Sequence, residues 1–232
     1  MLYHDGKTEL EGYFAPAAIK GNSPLVLIIH QWYGVSKNEK MRADMLAAQG
    51  YNAFALDMYG KGIRPDNNDD AGKQAMLYKD NPQLARQRIK AALDFASTLP
   101  NVDKSRIAVM GYCFGGTMAL ELARSGADIR GAISFHGALL TKAPAVKGAV
   151  KASLLAHHGA DDPLVPPEEL KAFAEEMNAA GADWTLTQYS HAVHAFTQKE
   201  AGSNPATGIA YNEKADRRSW SASLNFLGEI FS

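Results

Sequence analysis

A chain of 232 residues, 46% hydrophobic and 21% charged, has the makeup of a soluble globular protein and the length for one α/β domain with a substantial core. The 24 basic and 25 acidic residues leave a formal charge of -1, without the basic excess that draws a protein to nucleic acid or an anionic membrane. One cysteine excludes an intrachain disulfide and leaves a thiol best kept reduced in the cytosol, so the expected location is cytoplasmic.

The first fifteen residues carry His4, Asp5, Lys7, Glu9 and Glu11 where a secretory signal would have a basic start and an apolar core, and a hairpin is expected around Glu9 to Phe14. Leu25 to Ile29 is the longest aliphatic run, far short of the roughly 20 residues a membrane span requires, and reads as a buried strand. After the exit loop His30-Gln31-Trp32-Tyr33-Gly34 come a helix over Glu39 to Gln49, a strand over Ala53 to Leu56 and an Asp- and Asn-rich loop over Gly60 to Gly72.

A helix over Gln83 to Ser97, a strand over Arg106 to Met110, a helix over Phe114 to Arg124 and a strand over Gly131 to Phe135 follow. The pattern continues with a strand over Ser153 to His157, a helix over Pro167 to Ala180 and a strand over Trp184 to Tyr189. A long loop over Ser190 to Thr207 and a helix over Asn212 to Phe231 complete it. Short buried runs alternating with longer amphipathic ones predict a single α/β domain over residues 1–232, its mostly parallel sheet flanked by helices on both faces.

Between strand and helix stands Gly111-Tyr112-Cys113-Phe114-Gly115-Gly116. A reactive side chain on so sharp a turn needs flanking glycines, because side chains there would collide with neighbouring elements. This is a nucleophile elbow with Cys in place of Ser. The helix N-terminus beyond it favours a thiolate, and the Phe114 N–H can donate to a tetrahedral oxyanion. Trp32, in the exit loop of the first buried strand, is the candidate second donor; the plainer alternative is an apolar loop covering the sheet edge.

In this architecture a carboxylate and then a histidine follow the nucleophile in chain order. Gly159-Ala160-Asp161-Asp162-Pro163 and Ser190-His191-Ala192-Val193-His194 supply both, each after a predicted strand. Spacing alone does not choose between Asp161 and Asp162, or between His191 and His194.

From about Leu10 onward the chain resembles the dienelactone hydrolase family. The shared features are Gly-Tyr-Cys-Phe-Gly-Gly at 111–116, Gly-Ala-Asp-Asp-Pro-Leu-Val-Pro at 159–166, His-Ala-Phe at 194–196, and Gly34-Val35. The resemblance implies an α/β-hydrolase fold and a Cys113, Asp162 and His194 triad that cleaves a carboxylic ester or lactone through an acyl thioester, with oxyanion donors at Phe114 and Trp32. Where family members usually carry a glutamate that takes the resting thiol's proton, this chain has Gln31, which accepts no proton at neutral pH. The arginines that bind the family's substrate carboxylate have no clear counterpart: Thr197 follows Ala-Phe, and the Gly60 to Gly72 loop offers only Arg64. These departures point to standing contact between Cys113 and His194 and to a broader range of activated esters, phosphotriesters included.

Gln31, Tyr33, Tyr59 and Tyr78, with Trp32 and Phe114, are the candidate lining of a pocket for an acyl or aryl group; plain core packing is the alternative. His157, His158, Asp161 and Asp162 lie close in sequence, but adjacent residues of a strand point to opposite faces, so no metal is expected. Asp66 to Asp70 lacks calcium-loop spacing and reads as solvated. The expected enzyme uses no cofactor, takes a small-molecule ester or lactone, and is a monomer or homodimer. The rival readings are an acyltransferase sharing the same thioester and a ligand-binding protein without turnover.

Overall fold

Alternating exposed and buried residues at the N-terminus form a hairpin of β1 (Leu2–Asp5) and β2 (Thr8–Glu11), which reverses at Gly6, where φ is +57°. The computed structural model describes residues 1–232. The hairpin expected around Glu9 to Phe14 is therefore displaced toward the N-terminus. Tyr13–Ala15 separates from it as β3, which pairs antiparallel with β5 (Asn52–Leu56) at one edge of the main sheet.

The main sheet adds β4 (Ser23–Ile29), β6 (Val102–Tyr112), β7 (Gly131–Phe135), β8 (Ser153–Gly159) and β9 (Trp184–Tyr189). Its order is β3-β5-β4-β6-β7-β8-β9, and every pairing from β5 to β9 is parallel. Every residue of β4, β5 and β7 is buried, as continuous apolar runs require when helices cover both faces. On β4, Leu25, Leu27 and Ile29 enter one hydrophobic core while Val26 and Ile28 enter the other, following the two-residue period of a strand.

Helices α1 (Lys37–Ala48) and α6 (Glu213–Ile230) supply the second core; α3 (Pro82–Ala96), α4 (Phe114–Arg124) and α5 (Pro167–Ala180) supply the first. Ser36 and Glu39 close a reciprocal capping box that starts α1 two residues ahead of the expected Glu39.

The loop reading of Gly60 to Gly72 is corrected in its last third, where α2 (Asn68–Lys79) begins. Asn67 caps this helix by accepting from the Asp70 N–H, and Asp69 and Asp70 complement the positive end of the helix dipole. The residues that read as turn formers are helix starters, and with only Ala71, Ala75 and Tyr78 buried the helix has almost no apolar stripe to betray it. No helix is long and apolar enough to cross a membrane.

Candidate active site

The ends of β6, β7 and β8 and the loop after β9 converge on the carboxyl edge of the sheet, the place where open α/β sheets bind ligands. Cys113 sits between β6 and α4 at φ +54°, a strained value for a residue with a Cβ. Gly115 makes the turn possible: a Cβ there would lie 2.2 Å from the Ile29 carbonyl oxygen, inside the neighbouring strand's backbone. The Cys113 N–H donates to the Phe135 carbonyl at 2.9 Å, so the elbow is fastened to β7 as well.

His194 follows β9 on a segment held by a reciprocal pair of bonds: its N–H donates to Gly208 O at 3.1 Å, and Ala210 N–H donates to its carbonyl at 3.0 Å. Farther on, Asn212 N–H donates to Phe196 O at 3.0 Å, and Arg42 donates to Thr197 O at 3.1 Å and to Asp216 at 2.6 Å. At Gly159 a Cβ would meet the Ala192 carbonyl oxygen at 2.5 Å; its absence lets the histidine segment close on the carboxylate turn.

The fold brings together one member of each open pair. His194 Nε2 lies 3.1 Å from Cys113 Sγ, and His194 Nδ1 lies 2.9 Å from Asp162 Oδ2. The second Asp162 oxygen accepts from the Leu164 N–H at 2.8 Å, which fixes the carboxylate. Asp161 instead faces His191 at 3.9 Å on the surface. The carboxylate holds the imidazole proton on Nδ1 and turns Nε2 toward sulfur.

Burial disfavours charge on both members of the sulfur–imidazole pair, and their mutual attraction overcomes it. The Cys113 thiol is lowered despite burial by the His194 charge and hydrogen bond, by the Phe114 N–H and by Lys79. His194 is raised to about 10, against its own burial, by the Cys113 charge and by Asp162. The ion pair therefore forms as pH rises through the lowered thiol value and is lost as pH rises past the raised imidazole value. Iodoacetamide should alkylate Cys113 at a rate that holds below about pH 8.5, the ordinary thiol value. A rate that tracks a titration at that ordinary value would show that no ion pair stands at rest.

The Phe114 N–H lies in the open first turn of α4 and faces the sulfur. The Trp32 N–H makes no hydrogen bond within the chain, while its carbonyl accepts from Tyr59 Oη at 3.0 Å. His30 locks this loop: its Nε2 accepts from the Met58 N–H at 3.1 Å and its Nδ1–H donates to Gln31 O.

Of the other expected lining residues, Gln31 donates to Glu39 at 3.4 Å, and Tyr33 is exposed with its hydroxyl on Asn68. Tyr59 and Tyr78 are buried with Phe114, ring centres 5.7 and 6.2 Å from it, and the Tyr78 hydroxyl accepts from Arg88 at 3.2 Å. Of these four, Tyr78 borders a cavity beside the site. His157 bonds Ser223 and Tyr189, each at 3.0 Å, and burial pushes it down to about 3.

His136 escaped the sequence reading. Its Nδ1 accepts from the Cys113 N–H at 3.2 Å, its Nε2–H donates to Thr197 Oγ1 at 2.8 Å, and its ring meets that of His194 edge-on at 5.3 Å. Burial holds it neutral, with the His194 charge acting in the same direction. Its one signal in the sequence is its place at the end of the Gly131 to Phe135 strand.

A nucleophile on a positive-φ turn between strand and helix, followed along the chain by a carboxylate and a histidine at the carboxyl edge of a parallel sheet, defines an α/β-hydrolase. A profile of the dienelactone hydrolase family matches residues 10–231, and the chain belongs to that family, placing it among hydrolases of esters and lactones. It is similar to a dienelactone hydrolase-like promiscuous phosphotriesterase, P91, from metagenomic libraries. The two are 37% identical with a TM-score of 0.92, over 100% of this chain and 97% of that one. A structure named m3DLH is 35% identical with a TM-score of 0.94, over 100% and 97%. A relative in Aquifex aeolicus (strain VF5), with carboxymethylenebutenolidase as its provisional name, is 27% identical over 94% of this chain and 93% of its own.

Proposed function

We propose that Cys113, His194 and Asp162 form a triad that hydrolyses a small carboxylic ester or lactone through an acyl thioester on Cys113. The observation that carries this reading is the unbroken Sγ–imidazole–carboxylate line, with contacts of 3.1 and 2.9 Å.

The thiolate adds to the substrate carbonyl, and the oxyanion that forms accepts from the N–H groups of Phe114 and Trp32. As the carbonyl re-forms, the bond to the alcohol oxygen breaks and His194 gives its Nε2 proton to that oxygen. Neutral His194 then takes a proton from water, whose oxygen attacks the thioester. Collapse releases the carboxylic acid and restores the thiolate beside imidazolium. Asp162 keeps Nε2 facing the reaction throughout.

Acid quenching during turnover of p-nitrophenyl butyrate should trap one butyryl group on Cys113, detectable by mass spectrometry of its peptide. A butyryl group on another residue, or turnover with no covalent species at any time, would refute the mechanism.

P91 gives a second reading its support, since a thiolate paired with imidazolium can also attack an activated phosphorus centre. That activity would share Cys113 and vanish with it. A lone thiol kept reduced suits the cytoplasm, where we place the enzyme.

A further inference from the structure

A second imidazole, His136, lies beside the triad and takes no part in the proposed chemistry. It is completely buried at the end of β7, so substrate cannot reach it. The rings of Tyr112, His194 and Phe196 box it in, with centres 6.2, 5.3 and 5.1 Å away.

Its backbone is held in an unfavourable conformation. At His136 φ is +41°, a value few residues with a Cβ adopt, and strain of this kind persists only where neighbouring structure imposes it. Here the constraint comes from both sides. The His136 N–H donates to the His157 carbonyl at 2.8 Å, and Gly137 presses so closely on α4 that a Cβ would lie 2.6 Å from the Thr117 nitrogen. With Cys113 at +54° and Ala195 at +58°, the elbow, the end of β7 and the histidine segment each carry such a residue.

The two ring nitrogens have different, fixed roles. Nδ1 faces the Cys113 N–H at 3.2 Å and can only accept from it, sharing that donor with the Phe135 carbonyl at 2.9 Å. The ring proton is therefore on Nε2, 2.8 Å from Thr197 Oγ1. Thr197 stands three residues past His194, with its carbonyl held by Arg42 at 3.1 Å. A neutral imidazole suits this span, since it offers one acceptor and one donor on a rigid ring; the protonated form has two donors and would lose the bond to Cys113. Burial and the cationic His194 ring both disfavour that second proton.

We propose that His136 is a positioning residue: by tying the Cys113 backbone to Thr197, it sets the distance between the Cys113 sulfur and the His194 imidazole. This rests on the triad reading. The brace joins the nucleophile's segment to the base's by a path separate from Asp162, which bonds the His194 ring and the Leu164 N–H.

The test is the pH profile of Cys113 alkylation by iodoacetamide, which requires no turnover, set beside kcat/KM for p-nitrophenyl butyrate. Thr197→Val keeps the side chain's shape and removes the acceptor; it should lower kcat/KM about three- to tenfold, the scale of one hydrogen bond. His136→Phe removes both bonds and should lower it about a hundredfold, as a misplacement of about 1 Å can. In both variants alkylation should move to higher pH, because a sulfur farther from imidazolium ionises less readily. Lys79, Tyr59, Arg42, His157 and Asp162, the other titratable groups around the pair, are the same in all these proteins, so the shift reads the contact. Adding Thr197→Val to His136→Phe should cost nothing further, since both act through one bond. Should His136→Phe not fold, Thr197→Val decides alone. A Thr197→Val alkylation profile that matches wild type, whatever happens to activity or melting temperature, overturns the proposal, and so do fully additive losses. Failure of the triad reading shows separately, as a wild-type profile that itself lies at the ordinary thiol value.

Discussion

Replacing Cys113 with alanine should lower kcat/KM for p-nitrophenyl butyrate by about a hundred-thousand-fold, leaving only what the oxyanion donors achieve with water. The substitution removes one sulfur from a turn that already tolerates a Cβ at φ +54°, so the fold should persist and the melting temperature should barely move. Cys113→Ser is the sharper variant. It keeps a nucleophile of similar shape, but a hydroxyl is not ionised at rest, so His194 loses the charge that helps raise it to about 10. The serine form should therefore combine weak activity with an imidazole that titrates much lower, readable by NMR. An alanine variant that keeps a tenth of wild-type activity would mean that the chemistry lies elsewhere.

Asp162→Asn should cost about a thousand- to ten-thousand-fold in kcat/KM, the scale on which loss of the orienting carboxylate acts in such triads. Asp162 has a fully buried side chain with one oxygen on His194 and the other on the Leu164 N–H. An amide of the same shape removes the charge that stabilises imidazolium and no longer holds the proton on Nδ1. The neighbouring Asp161→Asn makes the same chemical change at an exposed position facing an exposed His191, and should stay within about twofold. A matched loss in both variants would assign the effect to the turn and not to the carboxylate.

The contrast between these neighbours marks where sequence is readable. The elbow was legible because its glycines answer to local sterics: strand, turn and helix follow one another along the chain, and little but glycine fits at Gly115 against the Ile29 backbone. The order of Cys, Asp and His was expected on another ground, the elbow architecture, in which carboxylate and base follow the nucleophile along the chain. Which of two adjacent aspartates meets a histidine depends on how the β8 turn presents its side chains to a segment beyond β9, and no local pattern contains that. His136 lay hidden because β7 and the elbow become neighbours only in the sheet. The start of α2 was obscured by Asn and Asp residues that serve loops and helix caps alike. The aromatic residues expected around the substrate divide on packing: Tyr59 and Tyr78 fill core space against Phe114, whereas Tyr33 reaches solvent.

The bonds that seat His194 come from Gly208, Ala210 and, through Phe196 and Thr197, from Asn212 and the Arg42–Asp216 pair at the start of α6. During synthesis the thiol emerges long before these partners, and until they arrive it has no base. A chain truncated before α6 is therefore expected to carry a thiol that lacks the His194 charge and hydrogen bond which lower it in the folded protein. On the proposed mechanism, hydrolysis is expected only once the segment from Gly208 to Asp216 has folded against the histidine.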